Sequence, residues 1–219
     1  MALDLYAHPF SSFCQKALIA LYEAETPFTL KMLDEQHPEN VAALKAAWPF
    51  GRFPALRDGD QWVMEATCIV EHLDVFHPGP ERMIPDDRDA ALEVRFLDRV
   101  FDNDVSGQQQ ALIYNALRPE SSRDAYGEAR AKEKLEVAYA WLDELLKGRR
   151  WAVGEPFTLA DCAAGPALFY AHWTHPIDAR FETLLAYRKR LMARPSFARA
   201  IEEARPYRDY FPLGIPAED

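Results

Sequence analysis

Two kinds of hydrophobic pattern alternate through the first 76 residues. LDLYA at 3–7 alternates apolar and polar positions as a half-buried strand does, and His8-Pro9 ends it. Phe13, Ala17, Leu18 and Leu21 then recur at helical spacing, which predicts a helix over 12–24 with the Ser11-Ser12 pair at its start. PFTLKML at 27–33 reads as a second strand, and 38–46 as a short helix opened by Pro38 at its first position. A hairpin is expected from 53–57, through Asp58-Gly59-Asp60, to 61–64. ATCIVEHLDVF at 66–76 returns to the helical period. The order is βαβ, a short helix, then ββα.

Beyond residue 77 the pattern changes. HPGPERMIPDDR at 77–88 holds three prolines and a glycine and marks a linker, after which strand signals vanish. Helices are expected at about 88–117, 121–148, 158–172, 179–194 and 196–204. ADCAAGPALFYA at 160–171 is apolar nearly all round, so it predicts a central helix buried on every side. The tail from 205 to 219, with Pro206, Pro212 and Pro216, is expected to be an extended wrap. The fold class is therefore α/β followed by all-α, with domains at 1–77 and 89–219 joined by a linker at 78–88.

Composition narrows the function classes. The 219 residues are 49% hydrophobic and 27% charged, which suits a packed core and argues against long disorder. Net charge is -10, split -6 over 1–78 and -4 over 79–219, so neither part is a charged tail. That balance disfavours nucleic acid and anionic membrane as partners. The most apolar stretch, 162–171, is too short to span a membrane, and the N-terminus lacks a basic region ahead of an apolar run. Cys14, Cys68 and Cys162 are odd in number and irregularly spaced, which suits neither a disulfide framework nor a metal knuckle. No metal is expected, and the setting expected is a reducing cytoplasm.

Four short segments carry candidate chemistry. Ser11-Ser12-Phe13-Cys14 stands between the first strand and the first helix, where free N–H groups and a positive dipole end stabilise an anion such as a thiolate. The plain alternative is that either serine only caps the helix; by position Ser11 ends the loop and Ser12 better fits the cap. Trp48-Pro49-Phe50-Gly51-Arg52-Phe53-Pro54 ends in a proline ahead of a strand. Such a proline suits a cis turn that leaves the preceding backbone free to pair with an extended peptide, or it is an ordinary turn proline. Glu65-Ala66 opens an apolar helix, where the acid suits an ammonium group and the N–H of Ala66 a carboxylate; dipole compensation alone also places glutamates there. Thr158 with Asp161 forms a capping box, a structural signature.

Taken together, LYAHPFSSFCQKALIAL, PFGRFPAL, MEATCIVEHL, the linker and FTLADCAAGPAL resemble the glutathione transferase family in order and spacing over essentially the whole chain. The resemblance implies a thioredoxin-like first domain, an all-helical second domain and a homodimer. It assigns Ser11 as the catalytic serine and Cys14 as the second position of a glutaredoxin-like C-x-x-C. Glutathione, the co-substrate, would be held by Ser11, Phe13, Arg52, the backbone of Phe53 before a cis Pro54, and Glu65 with Ala66. An electrophile pocket is expected between the domains from Phe10, Phe101 and Tyr114. Three departures from the family pattern stand out: Ala66 replaces a serine, Trp48 replaces an asparagine, and Gln15-Lys16 replaces the tryptophan and arginine of the maleylacetoacetate isomerase class, which is thereby disfavoured.

The implied reaction is addition of glutathione, as thiolate, to a hydrophobic electrophile in detoxification. Ser11 donates a hydrogen bond to the sulfur, with Tyr6 as the rival donor. The other classes considered are a non-catalytic interaction module and a glutathione-dependent reductase or isomerase; the reductase normally needs a cysteine at the Ser11 place.

Overall fold

Four strands, β1 (Leu3–Ala7), β2 (Phe28–Met32), β3 (Ala55–Asp58) and β4 (Gln61–Met64), form one mixed sheet in the order β2-β1-β3-β4 in the computed structural model, which describes residues 3–216. β1 runs parallel to β2 and antiparallel to β3. A parallel neighbour requires a crossover, and α1 (Ser12–Glu23) supplies it. α1 and α3 (Ala66–Phe76) cover one face of the sheet, burying Leu3, Leu5 and Ala7. Tyr6 faces the other way, into a small cluster with Leu44 of α2 (Pro38–Ala47), Ala55 and Trp62. β1 is thus buried on both faces, whereas its alternation predicted burial on one. The short helix α2 makes the difference, because it gives Tyr6 an apolar neighbour.

Register decides what meets at the working end of the sheet. Tyr6 pairs with Ala55, and Ala55 with Met64. The residues just outside these pairs, Pro54 and Glu65, therefore emerge together at the end where β1 runs out into His8–Ser11.

The remainder is helical, as its pattern predicts: α4 (Arg88–Val100), α5 (Gly107–Ala116), α6 (Ala125–Leu145), α7 (Leu159–Thr174), α8 (Glu182–Met192) and α9 (Pro195–Ala204). The single helix expected at 88–117 is interrupted by a π turn, Phe101–Ser106. The tail also differs from expectation: Arg205–Tyr210 coils into a 3₁₀ helix instead of running extended, and residues 217–219 lie outside the described residues. α7 is buried on every side from Leu159 to Ala171, and a Cβ at Gly165 would stand 3.2 Å from the Phe197 ring. Its start is closed by the capping box of Thr158 and Asp161.

Polar side chains bolt the helices to the sheet. Gln15 donates to the Pro9 carbonyl at 3.0 Å and to the Tyr170 hydroxyl at 3.1 Å, and that hydroxyl donates to the Phe10 carbonyl at 2.9 Å. Lys16, fully buried on α1, pairs with Asp98 and Asp102, and donates to Thr67 of α3 at 2.8 Å. These bonds fix the His8–Ser11 loop from below and behind.

Candidate active site

The loop after β1 is a tight turn in which the Ser11 N–H donates to the His8 carbonyl at 3.0 Å and the Phe10 N–H to His8 Nδ1 at 3.2 Å. The turn delivers Ser11, not Ser12, to the N-cap of α1, with φ -82° and ψ 126°. Ser12 is the first helical residue and is buried. Ser11 Oγ accepts from the Cys14 N–H at 3.4 Å. Capping occupies a lone pair and leaves the hydroxyl proton free to be donated outward. No acidic residue sits in the first turn of α1, so the positive end of the helix is uncompensated there.

Cys14 is no rival for this role. Its thiol is fully buried, and burial pushes its pKa up to about 12, against the opposing hydrogen bonds from Ser11 and His8. It stays protonated and unreactive at neutral pH. Tyr6 is also turned away: its ring packs on Trp62 at 4.8 Å, in the cluster on the α2 side.

Ser11 stands at the junction of two clefts. The larger, of about 710 Å³, is lined by His8, Ser11, Leu33, Asp34, Phe53 and Tyr210 among others. A smaller hollow of about 210 Å³ lies on the helical side and is walled by Phe10, Ile113, Tyr114, Tyr170 and Phe211. Phe10, Ser11 and Tyr210 border both. One side is therefore strand edge and polar loop; the other is largely aromatic. Phe101 does not belong here, contrary to expectation. It is wholly buried at the start of the π turn and reaches no solvent.

The second part of the site lies across the sheet end. The Phe53–Pro54 peptide is cis, Pro54 is buried and Phe53 exposed. Glu65 adopts φ 70° and ψ 128°, a left-handed setting that costs a non-glycine residue on the order of 1–3 kcal/mol. It thereby stands at the N-cap of α3 with its carboxylate in solvent and no capping bond from its side chain. Ala66 follows as the first helical residue, 4% exposed. Arg52 reaches to 3.4 Å from Glu65 and rests over the rings of Trp48 and Phe50, at 5.3 and 5.5 Å. An exposed pair of this kind contributes little to stability. Phe13 is half-buried on α1. Ser11, Phe10 and Phe53 thus share one cleft, while Arg52, Glu65 and Ala66 form a second group at the start of α3.

Several lining residues escape sequence reasoning. His8 is one; burial lowers its pKa, outweighing the opposing pull of Asp34. Tyr207 and Tyr210 are others, brought over His8 by the 3₁₀ turn, with Tyr207 edge-on at 4.6 Å. Their spacing of three along the tail was the available signal, since one 3₁₀ turn aligns such residues. Gln109 and Tyr170 come from distant helices with no local mark.

Comparison with known proteins agrees with this fold. The profile of the glutathione S-transferase N-terminal domain matches residues 5–81, and that of the C-terminal domain matches residues 110–195. A glutathione S-transferase-like protein, LUC7, from Fusarium sp is 29% identical over 167 residues, spanning 74% of this chain and 73% of its own. A probable maleylacetoacetate isomerase from Vibrio cholerae is 26% identical, spanning 94% of this chain and 98% of its own. The crystal structure of a glutathione S-transferase from Methylobacterium radiotolerans, in complex with glutathione sulfonate, superposes with a TM-score of 0.79 at 28% identity, covering 100% of this chain and 99% of that one. With both domains matched in order around an N-terminal sheet and a helical remainder, the chain belongs to the glutathione S-transferase family and is a glutathione transferase enzyme.

Proposed function

We propose that this enzyme binds glutathione at the cis Pro54 end of the sheet and holds its sulfur as a thiolate beside Ser11 for attack on a hydrophobic electrophile. The observation that carries the reading is the Ser11 hydroxyl, fixed as the cap of α1 at the mouth of two clefts. A free thiol of pKa ~8.5 is a few per cent ionised at pH 7. A donor hydroxyl, the unopposed N–H groups of α1 and its dipole all favour the anion, and lowering the pKa by ~2 units makes it the main species. The backbone of Phe53, in the loop that leads into β3 at the sheet end, pairs with the cysteinyl part as with an extended peptide. Glu65 takes the glutamyl ammonium, the N–H of Ala66 its carboxylate, and Arg52 lies toward the glycyl carboxylate, with Phe13 packing beneath. The electrophile enters the aromatic hollow of Phe10 and Tyr114.

Domain limits of 1–77 and 89–219 suit this division of labour. Three free thiols suit a reducing cytoplasm, and detoxification suits an apolar hollow. Phe96 of α4 and Val137 and Trp141 of α6 are exposed around a groove of about 410 Å³, an apolar face that a second copy of the chain would cover as a homodimer. A glutathione-dependent reductase is disfavoured because the reacting place holds Ser11 and Cys14 is sealed in the core.

The test is thiolate absorbance near 240 nm with bound glutathione, together with turnover of a generic aryl halide. Bound thiol with a pKa well below that of free glutathione, raised in Ser11→Ala, supports the mechanism. Binding without turnover or shift would indicate a non-catalytic module. Turnover of a cis–trans diketo acid in place of the halide would indicate an isomerase.

A further inference from the structure

We propose that Asp58, His72 and His77 form a binding site for one divalent transition-metal ion of the zinc class. Asp58 ends β3, His72 lies on α3, and His77 caps its C-terminus, so two separate stretches of chain converge. Asp58 Oδ2 stands 3.0 Å from His72 Nε2 and 2.7 Å from His77 Nε2, and the three atoms all lie within 4.8 Å of one another. Ligands bonded to zinc at about 2.0–2.2 Å in a tetrahedral arrangement stand about 3.3–3.5 Å apart, so the two imidazoles would close in by up to about 1.5 Å while the carboxylate oxygen moves out by less than about 1 Å.

Two imidazoles and a carboxylate select zinc, cobalt, nickel or copper over calcium or magnesium, which prefer oxygen-only sets. The ligands are also held in place before any ion arrives. Asp58 is fixed by pairing with Gln61 and Leu3, His72 packs tilted against Phe76 with ring centres 4.7 Å apart, and the His77 N–H donates to the Leu73 carbonyl at 2.8 Å. Ordering them therefore costs little at the moment of binding. The ion would tie the β3–β4 hairpin to both ends of the second half of α3.

The place of this cluster separates it from the conjugation site. Asp58 pairs with Leu3 at the start of β1, whereas Ser11 follows its end, about 13 Å further along the strand direction. The metal would act as a staple rather than in catalysis.

The test uses tag-free protein in a Cys68→Ser background, so that the exposed thiol cannot contribute ligands. After chelation and desalting, the protein is titrated with Co²⁺ and then Zn²⁺. One Co²⁺ per chain is expected, with visible bands of low-coordinate cobalt that Zn²⁺ displaces and a Tm raised by several degrees. His77→Ala and Asp58→Asn, checked for fold by circular dichroism, should each weaken binding at least tenfold, while conjugation by the unsubstituted site is unaffected by the ion. No saturable binding at 100 µM Co²⁺, or equal binding by the variants, overturns the proposal.

Discussion

Two helices of this protein begin beside a carboxylate, and the two beginnings are opposites. At α7, Thr158 is extended, with φ -136° and ψ 179°, and Asp161 is sealed in the core. Its Oδ2 accepts from the Thr158 N–H at 2.9 Å and hydroxyl at 3.1 Å, and its Oδ1 from the Ala152 N–H at 2.8 Å and the Tyr187 hydroxyl at 2.6 Å. At α3, Glu65 holds a left-handed backbone, offers no cap, and leaves its carboxylate in water beside Arg52. The first start is finished by the protein itself. The second is left open under strain at the sheet end, where the proposed glutathione would complete it. The helical half closes the start of α7 with buried groups of its own, whereas the α/β half leaves an exposed carboxylate beside a bare helix start.

Asp161→Ala gives the largest break in this contrast. It removes the acceptor for four donors in a dry site, and losses from such deletions run to about 3–5 kcal/mol. The midpoint of urea unfolding should fall accordingly, while kcat per folded molecule is unchanged. Loss of activity without loss of stability would mean the helical half serves the chemistry directly.

Ser11→Ala tests the open side. kcat/KM for conjugation should fall roughly tenfold or more, as removal of one donor to a developing anion does. Stability should fall by only about 1 kcal/mol, the usual worth of a cap. Ser12→Ala should change neither much, since Ser12 lies inside the helix. An unmoved thiol pKa in Ser11→Ala, with a raised one in Tyr6→Phe, would shift the donor role to Tyr6.

How much of this was legible in the sequence differs by kind of feature. Elements whose hydrophobic period matches their burial, such as α7 and the β3–β4 hairpin, follow from pattern alone. The π turn does not, because one extra residue per turn leaves 88–117 looking periodic while turning everything after it by about 100°. Phe101, expected in the electrophile pocket from the resemblance alone, starts this turn and faces the core instead. Position along the chain favours Ser12 as the cap, yet the His8–Ser11 turn puts Ser11 there and Ser12 inside the helix, because adjacent serines satisfy the same preference and the turn decides between them. The backbone of Glu65 is set by the β3–β4 register and not by its own propensity.

The far end of α7 supplies a pH test of the closed region. His172 Nδ1 accepts from the Ile177 N–H at 3.1 Å, a bond that only the deprotonated nitrogen can make. Burial first, and Arg188 second, lower its pKa to about 4. The unfolded chain takes up a proton near pH 6.5, before the folded one does, so stability should fall as pH drops from about 6.5 toward 4 and this contribution should level off below. His172 is half-exposed in effect, so the slope is modest. Chemical denaturation across this range should show it, and His172→Gln should flatten it. An identical slope in the variant would assign the pH dependence to other groups.

Ala66→Ser sharpens the contrast at its smallest scale. Ala66 is the first residue of α3 and nearly buried, so a serine there places a hydroxyl where the open helix start meets the proposed glutamyl carboxylate. Without ligand the hydroxyl gains little, and serine is a poorer helix former than alanine by a few tenths of a kcal/mol, so Tm should fall slightly. With glutathione bound, it donates a second hydrogen bond to a charged group that already accepts the Ala66 N–H. A hydrogen bond of this type is worth about 1.5–3 kcal/mol in full, but sharing the carboxylate and ordering the hydroxyl reduce that. Calorimetry should therefore give a several-fold lower Kd for glutathione, with the thiol pKa of the bound tripeptide unchanged because Ser11 is untouched. An unaltered Kd would place the carboxylate away from the start of α3, and the strain at Glu65 would then need another ligand to explain it.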